Sequence, residues 1–227
     1  MRGMQAHSAG RMAALGGLLA LFLGLAASPL RAGNLVSNPG FDTDASGWTL
    51  TDAAWDGTRD AAGSASSGSV RSFVTFRVNA CFDVLTQCVT GLQGGTRYDF
   101  GGKILIPTSP NQTTGGQGTI GVQWYSGGCG SGPLGESFGP LVDSTADADV
   151  WTASNSAGIA APAGATSAFL IGRSCVLGQG NVEMFFDDML LEPSPAFTPT
   201  VPTLDLPGLA LFGLLLASRG LLALRRG

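Results

Sequence analysis

Val70-Arg-Ser-Phe-Val-Thr-Phe-Arg-Val78 decides how the middle of this chain folds. Val70, Ser72, Val74, Phe76 and Val78 alternate with Arg71, Phe73, Thr75 and Arg77, and a period of two sends one set inward and the other to solvent. The pattern recurs along the chain. Tyr98, Phe100, Ile104 and Ile106 share a face opposite Asp99 and Lys103, and in residues 119–125 Ile120, Val122 and Trp124 fall together against Gln123 and Tyr125. Residues 168–173 and 182–191 read as later strands. Gly, Pro, Asn and Ser clusters separate these runs, and no useful helical period interrupts them. Thr114–Gly118 and Gly127–Gly135 read as glycine-rich loops without a phosphate-cradling pattern. Many short strands at this spacing predict an all-β fold, a jelly-roll β-sandwich over residues 33–192.

Composition narrows the chemistry. Of 227 residues 12% are charged, against about 25% in an ordinary soluble domain. Between Gly33 and Leu204 stand six basic and fifteen acidic side chains, a formal charge of −9. Nucleic acid is a poor partner for such a surface, because neutralising phosphates takes clustered Lys and Arg. The one histidine, His7, lies outside the body. That removes Ser-His-Asp and Cys-His nucleophile systems and His-ligated zinc from the predicted sandwich.

Both ends are apolar. Arg2 and Arg11 precede the uncharged run 12–27, and small residues follow, with Ala27 or Ala32 as cleavage positions. Residues 1–32 therefore read as a signal peptide, with an uncleaved N-terminal anchor as the alternative. Residues 193–204 form a Pro/Thr linker ending in Val201-Pro202-Thr203-Leu204. Residues 205–227 follow, apolar from Leu206 to Leu224 except for Arg219 and closed by Arg225-Arg226. Such a run is long enough for a membrane-spanning helix of about one hydrocarbon thickness. The terminal arginines favour a cytoplasmic end, with the body outside.

Val201–Leu204, the apolar span and the Arg pair together resemble the IPTL/VPTL class of C-terminal sorting signals, relatives of the PEP-CTERM signals. The resemblance implies a membrane transpeptidase of the exosortase type as partner, and a body first tethered to the membrane, then passed to the cell surface or extracellular matrix of a Gram-negative bacterium. Val201 stands where Ile is more usual, and Asp205 is not followed by the common Trp-Gly step. A plain tail anchor is the alternative.

A second resemblance covers the body. Asn34-Leu-Val-Ser-Asn-Pro-Gly-Phe-Asp42, Gly47-Trp48, Ala161-Pro-Ala-Gly-Ala165 and Phe186-Asp-Asp-Met-Leu-Leu191 are similar to the galactose-binding-like jelly rolls, including family 4/9-type carbohydrate-binding modules. That family implies one structural calcium ion pinning the first and last strands, with Asp42 and Asp187 as its acidic ligands and Asp188 the weaker candidate. Carboxylates and carbonyls suit a hard cation. A turn-forming Asp42 and a solvated Asp187 would equally fit the residues.

Four cysteines, Cys81, Cys88, Cys129 and Cys175, favour two disulfides in an exported chain. Three connectivities are open, and the spacing favours Cys81–Cys88 with Cys129–Cys175. For a ligand, Arg71, Phe73, Arg77, Lys103, Gln123 and Tyr125 lie on outward strand positions, and Trp55 lies in a Gly/Asp-rich loop. Aromatic faces and planar polar groups are what a pyranose requires. The expectation is a non-catalytic exported protein that binds carbohydrate or exopolysaccharide matrix. The alternatives are a structural surface protein without a small ligand, and a glycoside-active enzyme using two carboxylates.

Overall fold

The computed structural model describes residues 33–195, which are strand and loop without a helix. The signal segment 1–32, the motif Val201–Leu204 and the apolar segment 205–227 lie outside the described residues. Ten strands follow in order. They are β1 (Thr49–Leu50), β2 (Ala53–Asp56), β3 (Ser69–Thr90), β4 (Arg97–Leu105), β5 (Gly115–Tyr125), β6 (Pro133–Phe138), β7 (Val142–Asp143), β8 (Thr152–Ala153), β9 (Ser156–Ala160) and β10 (Ser167–Pro193).

β3 and β10 pair antiparallel along nearly their whole length, from Ser167 opposite Thr90 to Phe186 opposite Val70. The register shifts between Val176 and Gln179 and again between Gly180 and Val182. There Asn79, Gly178 and Gly180 take positive φ, and the Gly178 N–H donates to Asn79 Oδ1 at 2.7 Å. Strands that switch layers do so at such bends. On one side of the bend, β5 joins β10 and carries β6 and β7, while β1 joins β3. On the other, β2 joins β3, and β4 joins β10 and carries β8 and β9. The result is an all-β, jelly-roll-like sandwich.

The two layers close on Phe41, Trp48, Val74, Phe100, Ile104, Ile120, Trp124, Leu170, Met184 and Phe186, all buried. Tyr98 of one layer meets Trp124 of the other with ring centroids 5.7 Å apart. Residues 115–118, expected as a loop, belong to β5. A Cβ on Gly118 would stand 3.0 Å from Ile104 and Met184, and one on Gly116 would stand 2.6 Å from Val182. These glycines let the layers approach. Their role is packing, and the strand starts four residues earlier than its alternation shows. Pro133–Gly135 likewise begins β6.

Two side-chain amides, buried Gln87 and exposed Asn34, hold the N-terminal segment. Gln87 accepts from the Ser37 N–H at 2.7 Å and donates to the Ser37 carbonyl at 2.9 Å. Asn34 accepts from the Leu191 N–H at 3.1 Å and donates to the Met189 carbonyl at 2.8 Å. Side chains thus do for residues 34–37 what a strand ladder does elsewhere.

The disulfides differ from the favoured pairing. Cys81 bonds Cys175 and Cys88 bonds Cys129. Cys81 and Cys88 lie on one extended strand, which separates them by about 23 Å at roughly 3.3 Å per residue. A local bridge is therefore out of reach. Cys81 and Cys175 stand directly opposite in the β3–β10 register. Cys88–Cys129 ties the β5–β6 loop back to β3. Each bridge contributes about 2–4 kcal/mol.

Peptide mapping without reductant should recover Cys81 linked to Cys175 and Cys88 to Cys129, and a Cys81–Cys88 peptide would contradict the fold. Gln87→Ala should lower the unfolding free energy by about 1–3 kcal/mol, since it strands the Ser37 N–H and carbonyl. Urea titration reads that loss.

Candidate functional site

Inward residues alternate with outward ones, so each layer presents an outer face. On the layer of β5, β6 and the first half of β10, register brings Gln123 beside Phe169, and Thr119 beside Arg173 and Asp83. Tyr125 and Phe169 meet edge to face, 5.7 Å between centroids at 90°. The Tyr125 hydroxyl donates to Gln123 Oε1 at 2.7 Å, fixing the amide so that its Nε2 donors point away from that bond. Tyr125 itself is only 6% exposed. Burial foremost, then the Asp83 and Glu136 carboxylates, pushes its hydroxyl pKa above the ordinary phenol value.

Arg173 is locked in place. Its Nε donates to Asp83 Oδ1 at 2.6 Å, a second nitrogen lies 3.9 Å from Glu136, and its guanidinium sits 4.2 Å from the centroid of Phe138. The Phe138 ring fits there because residue 121 is glycine; a Cβ would lie 2.2 Å from the ring. This face therefore offers the Phe169 ring, an oriented amide, a held guanidinium and two carboxylates.

The predicted ligand residues divide. Gln123 and Tyr125 lie on this face. Arg71, Phe73 and Lys103 lie on the outer face of the other layer, where Arg71 donates to Glu183 Oε1 at 2.6 Å and sits 5.7 Å from the Phe73 centroid. Lys103 pairs with exposed Asp188 at 2.9 Å. Arg77 pairs in register with Gly180 at the bend. Trp55 is in β2 and not in a loop. Though 40% exposed, its indole donates to the Phe41 carbonyl at 2.8 Å and its ring packs on Gly57 and Gly68, so it braces the sheet edge. Asp83, Glu136, Phe138, Phe169 and Arg173 were not singled out from sequence. Phe169 and Arg173 share parity in the run 168–173, a signal that was present.

Asp42 and Asp187 occupy different settings. Asp42, Asp60 and Asp188 line a cavity of about 190 Å³ together with Gly40 and Ser67. Ser67 Oγ donates to the Gly40 carbonyl at 3.0 Å. Asp187 is 1% exposed and accepts backbone N–H bonds from Ala61 and Asp188 at 2.8 and 2.7 Å. Burial pushes its pKa up to about 7, against those two bonds and with help from the Asp188 and Asp60 charges. Among the described residues no three acidic, His or Cys side chains converge as a ready metal cage. The donors around the cavity are nonetheless all oxygen, which fits a hard cation.

No protein-family model matches the chain, and no curated protein matches it either. Solved structures do. A xylan-binding domain of carbohydrate-binding family 22 is 12% identical, over 72% of this chain and 97% of that one, with a TM-score of 0.50. The TmCBM61 module solved with β-1,4-galactotriose is 18% identical, over 72% and 100%, at 0.48. The CBM22-2 xylan-binding domain from Paenibacillus barcinonensis is 10% identical, over 69% and 98%, at 0.47. At such identities the first likeness shows the β-sandwich fold alone.

Asp187 holds its proton more tightly folded, near 7, than unfolded, near 3.8. Its contribution to stability is complete below the unfolded value and lost as pH rises through the folded one. In chelator, the melting temperature should therefore fall as pH rises from about 4 to about 7, and Asp187→Asn should flatten that slope. An unchanged slope in the variant would assign it to other groups.

Proposed function

We propose that residues 33–195 form a non-catalytic carbohydrate-binding domain whose ligand lies on the outer face of β5, β6 and the first half of β10. One observation carries this reading: Phe169, the Gln123 amide and the Arg173 guanidinium occupy one open sheet face, each held by neighbours before any ligand arrives. The apolar side of a pyranose packs on the Phe169 ring. Its hydroxyls meet the Gln123 Nε2 donors and the Arg173 and Glu136 charges, and charge-assisted bonds are the stronger kind. Fixing the groups beforehand cuts the ordering cost of binding. A fold shared with a xylan-binding domain supports a polysaccharide ligand. Asp83 and Glu136 are both drawn to Arg173, which favours hydroxyl recognition over the acid and base roles of a glycosidase.

The calcium ion belongs to the same reading. A cation in the cavity lined by Asp42, Asp60 and Asp188 would join the N-terminal turn, the loop after β2 and the last strand. Export by residues 1–32 and release or anchoring at residues 193–227 by an exosortase-type transpeptidase would display the domain on the surface or in the matrix. Cell fractionation tests that route: substituting Val201–Leu204 should hold the chain in the membrane, and unchanged release would remove the sorting role.

Affinity electrophoresis in gels containing xylan, galactan or other neutral polysaccharides tests the ligand. Wild type should be retarded by at least one of them, and Phe169→Ala or Gln123→Ala should weaken retardation about tenfold or more, equal to about 1.4 kcal/mol. No retardation across the panel would overturn the proposal. Added calcium should raise the melting temperature, and Asp42→Ala should abolish that rise.

A further inference from the structure

The corner between β1 and β2 encloses a second cavity, of about 270 Å³, lined by Asp52, Ala53, Ala54, Arg71 and Phe73. The chain crosses there from one layer to the other. β1 pairs with residues 85 and 86 of β3, and β2 pairs with residues 69–72. Asp52 turns the corner with φ of 50°, and its carbonyl accepts from the Phe73 N–H at 3.0 Å. Arg71 and Phe73 point outward, because Val70 and Val74 beside them point into the core. This cavity and the Phe169 face are thus on opposite sides of the sandwich.

Its walls are built and not incidental. Glu183 is only 5% exposed, and its two oxygens accept from Arg71 at 2.6 Å and Ser109 at 2.8 Å. That buried acid holds the Arg71 guanidinium against the Phe73 ring, 5.7 Å from its centroid. Arg71 is the one residue here whose charge is satisfied from below while its side chain stays 36% exposed above. The cavity therefore offers an aromatic ring, the Ala54 methyl and a guanidinium that stays partly open to solvent. Its volume lies below the roughly 300 Å³ at which pockets for drug-sized ligands begin. One ring fits.

We infer that this corner is a second sugar subsite, taking a single neutral pyranose unit of a polysaccharide, and that the domain is bivalent and bridges two glycan chains. The inference rests on the carbohydrate-binding reading above. A neutral ring is favoured because Glu183 already cancels the Arg71 charge. The apolar face of the sugar lies on Phe73 and Ala54, and its hydroxyls reach Arg71.

The test is calorimetric titration of the full chain, solubilised in a sugar-free detergent, with neutral hexasaccharides including xylohexaose. Two sites per chain are expected. Phe169→Ala should leave one, and Phe73→Ala should leave the other. Ala54→Gln, at an exposed position, fills the corner without touching the core and decides the matter should Phe73→Ala fail to fold. Wild type should also raise light scattering from dissolved long-chain xylan, and Ala54→Gln should not. A single site that vanishes with Phe169→Ala and is unchanged in Ala54→Gln overturns bivalency and leaves the carbohydrate-binding reading standing. No heat from any hexasaccharide would overturn both.

Discussion

The pairing of β3 with β10 is the interaction on which the rest of this domain depends. The two strands meet across up to 116 residues of sequence, Val70 against Phe186, and every other strand reaches the sheets through one of them or through a strand they carry. Each cross-strand pair contributes only about 0.2–1 kcal/mol, so the ribbon is stable through its length and through the side chains it aligns. Its bend converts one ladder into two layers. Cys81–Cys175 links the ribbon close to that bend, between residues 94 apart in sequence. Contacts this distant are costly to close, and a covalent link there removes much of the unfolded chain's freedom.

The same ribbon explains what could and could not be read from sequence. Alternation in residues 70–74, 98–106 and 119–125 named inward faces correctly, because parity within an unbroken strand is local information. It could not show that residues 69–90 form one strand, or that 167–193 form another. Bulges reset the parity: between Asp187 and Leu190 the inward set passes from Val182, Met184 and Phe186 to Met189 and Leu191. Glycine misled for a related reason. At Gly116, Gly118 and Gly121 the missing side chain makes room for Val182, Met184, Ile104 and Phe138, partners that only the folded chain brings near. The cysteine pairing failed likewise, since spacing along the chain says nothing about which strands lie side by side.

Site residues were legible by type and not by place. Outward parity picked out Gln123 and Tyr125, yet the same criterion picked out Arg71, Phe73 and Lys103, which belong to the opposite face. Trp55 looked like a loop aromatic free for stacking, whereas its indole N–H is committed to the Phe41 carbonyl. Carboxylates were harder still. Nothing in the sequence distinguishes Glu183, buried beneath Arg71, from Glu136, exposed beside Arg173. Their different burial follows from the loop that brings Ser109 over one of them.

The scarcity of charge in the body acquires a reason from these pairs. Leaving a buried charge without its partner costs several kcal/mol; Glu183 is the buried one and Arg71 partners it at 2.6 Å, while the partly exposed Arg173 pairs with Asp83 at the same distance. Both guanidiniums lie beside a phenylalanine ring, Arg71 by Phe73 and Arg173 by Phe138. A held guanidinium next to an aromatic ring can donate to sugar hydroxyls without first losing side-chain freedom. Linkage through a common polymer turns the second binding event into an intramolecular one. If both faces bind sugar as proposed, two rigid faces on opposite sides of one sandwich would gain more from a long, repetitive ligand than from a short one.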